Sequence, residues 1–172
     1  MGPRRTDRRQ PRGRARSGLL ATHPLAAKIE AVHRSLEEAG VPHAFGGALA
    51  LGFYAEPRDT KDIDVNVFVA TQERELKLDW EGTPVHFFFS CDALHEVMER
   101  RVREVPLGDG TIPLIAPEHL VIRKALIGRP KDRLDIERIL ACTSPLDLEE
   151  IQVWLKRMDQ GGLAAEILAS LR

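Results

Sequence analysis

The sequence has few of the residues that mark several common protein classes. Its 172 residues include only two cysteines, Cys91 and Cys142, and no C-x-x-C pair, so it predicts neither a disulfide framework nor a cysteine metal site. No segment approaches the ~20 apolar residues that cross a bilayer, and His23 and Pro24 interrupt the apolar run after Ser17. We therefore expect a cytoplasmic protein that does not enter a membrane.

Basic residues are fewer than acidic residues outside the first 18 positions. The whole chain has 25 basic and 26 acidic residues, and this segment holds seven arginines against one acid, which leaves 18 basic and 25 acidic residues, net −7. Such an acidic body argues against a broad nucleic-acid surface. The arginines lie among Pro, Gly and Ser, which predicts a disordered tail over residues 1–20. This tail is either a solvated extension or an RNA-binding arm.

Apolar residues make up 43% of the chain, enough for one hydrophobic core and too few for two large ones. We predict one domain over residues 21–142 and a helical hairpin over residues 143–172 that packs on it. Helical spacing and capping residues predict a first helix that ends at Gly40 and further helices that begin near residues 93, 117 and 130.

Short β-branched and aromatic segments alternate with these helices. Residues 41–45 and 63–69 are predicted strands, and residues 76–80 and 85–90 are predicted to form a hairpin. Extended segments around Gly108-Asp109-Gly110 follow. The predicted fold class is therefore α/β (α+β), with a small mixed sheet flanked by helices.

Two aspartates, Asp62 and Asp64, lie two positions apart at the start of the clearest strand. Period-2 geometry sends both side chains to the same side of the sheet. Two converging carboxylates repel unless a cation lies between them, and hard oxygen ligands suit Mg²⁺ or Mn²⁺. By itself the pair is weak evidence, since Asp62 could instead pair with Arg58 or Lys61 while Asp64 points to solvent.

Gly46 and Gly47 precede these aspartates by one helix and one loop. A glycine turn that opens a helix exposes backbone N–H groups to anions, although Gly-Gly is often just a tight turn. The joint pattern is more specific: Phe45-Gly46-Gly47, a short helix, then Arg58-x-Thr60-Lys61-Asp62-Ile63-Asp64-Val65. This pattern resembles the polymerase-β-like nucleotidyltransferase superfamily. It is also similar to the bacterial subgroup with antibiotic nucleotidyltransferases and abortive-infection toxins of type IV toxin–antitoxin systems.

The resemblance spans about residues 25–142 and includes Pro117-Glu118-His119-Leu120 and the segment 129–136. It implies transfer of a nucleoside monophosphate from an NTP to a hydroxyl of a small molecule or tRNA, with Mg²⁺ or Mn²⁺. Asp62 and Asp64 would hold the metal. The implied nucleotide-binding residues are Gly46, Gly47, Arg58, Thr60 and Lys124. An antitoxin protein is a further implied partner.

One position departs from the family pattern. The family has a third carboxylate on a neighbouring strand that helps activate the acceptor hydroxyl, and His86 stands at the corresponding position here. His86 is predicted either as a catalytic base or as an ordinary half-buried strand histidine, since imidazole accepts protons but binds Mg²⁺ poorly. Asp79 and Asp92 fit the position less well. The departure leaves open a catalytically inactive relative that binds a nucleotide or a protein partner.

Only 21 residues separate Asp64 from His86, which leaves little room for a crossover helix and predicts an abbreviated sheet. Arg58 is predicted to neutralise phosphate or to tether its loop, and Lys124 to reach the cleft or to be an ordinary helix lysine. Asp132 and Asp135 are predicted to begin a helix and pair with Arg129 or Lys131. Core packing is predicted for Trp80, Trp154 and Phe87-Phe88-Phe89.

Overall fold

The computed structural model describes residues 25–158 and 162–171. The predicted tail over residues 1–20 lies outside these described residues, as does Gly161. Within them the elements are, in chain order, α1 (Ala26–Glu38), β1 (His43–Phe45), α2 (Gly47–Tyr54), β2 (Ile63–Ala70), β3 (Glu75–Trp80), β4 (Thr83–Ser90), α3 (Ala93–Arg100), β5 (Arg103–Leu107), β6 (Gly110–Leu114), α4 (Pro117–Ile127), α5 (Pro130–Cys142), α6 (Leu148–Met158) and α7 (Leu163–Ser170). None of the described helices is long and apolar enough to cross a membrane.

The six strands form one mixed sheet in the order β3-β4-β2-β1-β6-β5. Strand β1 runs antiparallel to β2 and parallel to β6, while β4 runs parallel to β2 and antiparallel to β3. A second antiparallel pair, β5 and β6, completes the far edge. Helices flank this sheet, so the predicted α/β class is confirmed.

The connection between the parallel neighbours β2 and β4 contains no helix. After β2 the chain crosses to the edge of the sheet and forms β3 there, which leaves room for one strand between β3 and β2. It then turns tightly and fills this place with β4. The turn has left-handed backbone at Glu81 (φ 51°) and Gly82 (φ 76°). A strand thus takes the place of a crossover helix, and the sheet has six strands. The expectation of little room for a crossover helix is confirmed, and that of an abbreviated sheet is wrong.

Helix α1 covers one face of the sheet. Its buried Ile29 and Val32 join the core, and the Lys28 ammonium donates to the Glu81 carbonyl (2.8 Å) and to Thr83 Oγ1 (2.7 Å) in the β3–β4 turn. The helix is followed by Gly40 in the left-handed region (φ 64°), as its position after the last apolar residue predicted.

Helices α6 and α7 pack against α4 and extend the same core. Ile151 and Trp154 of α6 and Leu163 of α7 are buried in it. The packing role predicted for Trp154 is confirmed, and Trp80 is partly buried against the core.

Candidate active site

A cleft of about 360 Å³ lies between the sheet and the helices α4 and α5. Asp64 on β2, His86 on β4 and Lys77 on β3 are partners in the strand register, so their side chains form one row across this wall. Asp62 borders the same cleft, just before β2. The helical side contributes four basic side chains, Arg123, Lys124, Arg129 and Lys131. Carboxylates on the sheet therefore face cations on the helices.

The Gly-Gly turn is fixed by its contact with β2. The Gly46 N–H donates to the Asp64 carbonyl (2.9 Å), and Gly47 has left-handed backbone (φ 58°) at the first residue of α2. A Cβ on Gly47 would overlap the Asp64 carboxylate, and one on Gly46 would lie 2.9 Å from Asn66 Nδ2. Glycine is thus needed here because β2 passes so close. Of this pair only Gly47 lines the cleft, and the Gly46 N–H is already bonded to the Asp64 carbonyl.

The Asp64 carboxylate lies in an electrostatically unfavourable place. Burial raises its pKa, and the charge of Asp62 raises it further, while His86, Arg129 and Lys124 oppose the shift. A divalent cation would relieve this repulsion, and carboxylate oxygens are the donors that Mg²⁺ and Mn²⁺ prefer. Asp62 and Asp64 therefore fit a hard divalent cation.

His86 lies directly beside Asp64. Its Nδ1 is 3.6 Å from Asp64 Oδ1, and about a quarter of each side chain is exposed. The two alternative carboxylates lie elsewhere: Asp79 accepts from the Gly82 N–H (2.8 Å) in the β3–β4 turn, and Asp92 caps helix α3. His86, which stands where the family pattern has a third carboxylate, thus places an imidazole in the cleft.

A buried ion network forms the base of the cleft. Lys124 Nζ lies 2.6 Å from Asp135 Oδ2 and 3.5 Å from Asp132 Oδ1, and all three residues are almost completely buried. Arg129 Nε contacts Asp132 at 2.8 Å, which confirms that predicted pair. Asp135 instead pairs with Lys124 and with Arg58 Nε (3.3 Å), so the prediction of Arg129 or Lys131 as its partner is wrong.

The solved structures that are similar to this chain include the following two. An antigenic nucleotidyltransferase-like protein from Paracoccidioides brasiliensis has 15% sequence identity and a TM-score of 0.51, covering 88% of this chain and 93% of its own. The lincosamide antibiotic adenylyltransferase LnuA, with lincomycin bound, has 14% identity and a TM-score of 0.52, covering 68% of this chain and 97% of its own. This chain has the nucleotidyltransferase fold. No protein-family model matches it, and no curated protein does.

The loop after α2 lies at one edge of the nucleotidyltransferase-fold cleft. Arg58 and Thr60 line a smaller, mainly apolar cavity of about 180 Å³, which Asp62 separates from the cleft. Thr60 Oγ1 donates to the Asp62 carbonyl (3.2 Å), and Arg58 reaches across to α5. The structure therefore brings neither residue into the main cleft. Its geometry matches the alternative in which Arg58 tethers the loop.

Sequence reasoning missed several side chains that line the cleft of this nucleotidyltransferase fold. Phe88 was predicted to be core, but it lies in the cleft with the Arg123 guanidinium 5.8 Å from its ring centre. Only Phe87 and Phe89 pack against the core. Period-2 alternation from His86 was the available signal, because it puts residue 88 on the same side. Glu75 and Lys77 on β3 also line the cleft, and they follow from the same alternation once the register is known.

Proposed function

We propose that this protein is a metal-dependent nucleotidyltransferase, which moves a nucleoside monophosphate from an NTP to a hydroxyl acceptor. The observation that carries the proposal is the pair Asp62 and Asp64 facing four cations across one cleft of the nucleotidyltransferase fold. A triphosphate with a divalent cation is the ligand that matches both walls, since its metal needs oxygen donors and its phosphates need cations.

Each wall has its own task in this proposal. Asp62 and Asp64 would hold Mg²⁺ or Mn²⁺, which would neutralise phosphate charge when bound. Arg129 and Lys131 contact the phosphates, together with the N-terminus of α2 at Gly47, where the helix dipole favours anions. The ring of Phe88 offers a stacking surface for the base, because every nucleobase has a π-face.

His86 takes the hydroxyl proton of the acceptor in this proposal. The hydroxyl oxygen forms a bond to the α-phosphorus, the bond from that phosphorus to the bridging oxygen of the β-phosphate breaks, and pyrophosphate leaves. The imidazole beside Asp64 receives the proton, with Asp64 Oδ1 near Nδ1 to balance the charge that forms. Aligning the acceptor with the phosphorus supplies much of the rate gain.

The acceptor binds next to Asp62 in this proposal. The mainly apolar cavity on the far side of Asp62 suits a small molecule with an apolar part, and LnuA is named for a small-molecule antibiotic. A tRNA acceptor and an antitoxin partner follow from the resemblance alone, and a cytoplasmic location follows from the sequence composition; all three stay predictions.

A second candidate function is nucleotide binding without transfer. Two observations favour it: His86 replaces the third carboxylate, and the Lys124 ammonium is already engaged by Asp132 and Asp135. Such a protein would bind an NTP in the same cleft and act through a protein partner.

The experiment is a transfer assay with labelled NTPs, Mg²⁺ or Mn²⁺, and panels of small hydroxyl compounds and tRNA. We expect product with the wild type, background levels with Asp64→Asn, and wild-type levels with Asp79→Asn, which changes a carboxylate outside the cleft. Activity that survives Asp64→Asn would rule out this site.

His86→Asp separates the two candidate functions. An active enzyme loses transfer or changes its metal preference on this substitution, because the proton acceptor becomes a metal ligand. A wild type that binds NTPs in equilibrium titrations but transfers to no acceptor, before and after His86→Asp, would support the binding function.

A further inference from the structure

A second cluster of ligand-type side chains lies away from the cleft. His33 and Glu37 are one turn apart on α1, and His43 begins β1. His33 Nδ1 is 2.9 Å from His43 Nε2, and the potential ligand atoms of all three residues lie within 4.8 Å of one another. Two imidazole nitrogens and a carboxylate oxygen thus converge on one point.

The orientation of His43 is set by a hydrogen bond behind it. Its Nδ1 lies 2.8 Å from the Val41 carbonyl oxygen, which can only accept, so Nδ1 carries the proton and donates it. The other nitrogen, Nε2, therefore presents its lone pair toward His33. Metal-binding histidines are commonly held in this way, with the second nitrogen fixed by a carbonyl or carboxylate. His43 is 5% exposed, so packing also holds the ring in place.

The turn between α1 and β1 fixes the distance between the three residues. The Gly40 N–H donates to the Glu37 carbonyl and the Val41 N–H to the Leu36 carbonyl, both at 2.9 Å. These bonds close the end of the helix and direct the chain into β1. The site is therefore made of one supersecondary unit.

The cluster is separate from the cleft but reachable from solvent. In the register His43 pairs with Val67, whereas Asn66, one position away on the opposite face, lines the cleft. Glu37 is exposed and His33 is partly exposed, which leaves an entry path for an ion.

We propose that His33, Glu37 and His43 form a binding site for a zinc-class divalent cation that clips α1 to β1. Two nitrogens and one carboxylate oxygen are ligands that Zn²⁺ accepts, with water in the fourth position. On binding, the single proton of neutral His33 moves from Nδ1 to the outward Nε2, and the ion takes its place between the two imidazoles. Because the site forms only in the folded chain, binding stabilises the fold.

Another trio, Cys91, Asp92 and His95, also has ligand atoms within 4.8 Å of one another. Asp92 Oδ1 already accepts from the backbone N–H groups of Leu94 and His95 and lies 2.9 Å from His95 Nδ1. That oxygen is committed to capping α3, so this trio serves as an internal control.

The test is a Zn²⁺ titration of chelator-treated full-length protein by calorimetry, with a Co²⁺ absorption spectrum as a second readout. We expect one strong site per chain, a rise in Tm on addition of Zn²⁺, and visible Co²⁺ bands of a low-coordinate site. Affinity should fall at least ~10-fold in His33→Ala and in Glu37→Gln, with the Tm rise lost. Both residues are at least partly exposed, and circular dichroism without metal checks that the variants fold.

Cys91→Ser and Asp64→Asn should keep the strong Zn²⁺ site, because they change the other trio and the cleft. Three results would overturn the proposal: no saturable binding by the wild type, unchanged affinity in His33→Ala and Glu37→Gln, or loss of the strong site in Cys91→Ser or Asp64→Asn.

Discussion

Replacing Gly47 by alanine tests the contact that joins the glycine turn to the aspartate pair. Two costs add at this position. The first is the left-handed backbone (φ 58°), which costs an L-residue about 1–2 kcal/mol. The second is the overlap of the new methyl group with the Asp64 carboxylate, where a forced shift of packed atoms costs about 1–3 kcal/mol. We therefore expect Gly47→Ala to lower the free energy of unfolding by about 2–5 kcal/mol.

Gly40 offers a matched control. It has nearly the same backbone (φ 64°), but a Cβ there would meet nothing within 4 Å. Gly40→Ala should therefore show the backbone cost alone, about 1–2 kcal/mol. The excess in Gly47→Ala should disappear when Asp64 is replaced by glycine, because the colliding atoms are then gone.

Urea unfolding followed by circular dichroism measures Gly47→Ala, Gly40→Ala, Asp64→Gly and the double variant of Gly47→Ala with Asp64→Gly against the wild type. The transfer assay is run on the same variants. Because Gly47→Ala displaces the Asp64 carboxylate, its activity should fall by more than the loss of folded protein accounts for. If Gly47→Ala and Gly40→Ala are equally stable, or if the excess persists without the Asp64 side chain, the steric argument fails.

Two further predictions concern buried charges. Lys124→Met removes the cation shared by two buried aspartates of α5 and should cost about 3 kcal/mol in urea unfolding, whereas Lys131→Met at the same cleft should cost little. Equal costs would refute the stabilising role assigned to Lys124. Burial lowers the pKa of His119 below 6.5 despite the charge of Glu150, so below about pH 6.5 the unfolded chain binds more protons and stability falls. His119→Gln should flatten this slope, measured as the urea midpoint between pH 5 and 8, and an unchanged slope would refute the assignment.

Local signals were sufficient for most of the secondary structure. Prolines at the starts of α4 and α5, the glycine after α1 and the alternation in β2 each depend on neighbours within a few positions, and the elements lie where these signals predicted. The pattern Gly46-Gly47 with Asp62 and Asp64 spans more of the chain, and it was readable because it resembles the pattern of a known family. Glycine is needed at position 47 because β2 passes too close for a side chain, and this glycine is visible in the sequence.

The partners of charged side chains were not readable in this way. Arg58 and Asp135 are 77 positions apart, and Lys124 lies on a different helix from its two aspartates. Any acidic residue near the cleft was a candidate partner until the helices were packed. Arg58 was therefore predicted either to neutralise phosphate or to tether its loop, and Lys124 either to reach the cleft or to be an ordinary helix lysine. The order of β3 and β4 in the sheet could not be predicted either. A hairpin has the same local sequence signal whichever of its strands lies at the edge of the sheet.

The sequence by itself determined that Asp62 and Asp64 share one side of a strand, because side chains alternate along a strand, and its resemblance to a known family associated this pair with the glycine turn. Only the tertiary structure decided that His86 lies beside Asp64, that Phe88 faces the cleft, and that His33 meets His43. These contacts join residues on different elements. Their existence depends on how whole helices and strands pack, which no short segment of sequence encodes.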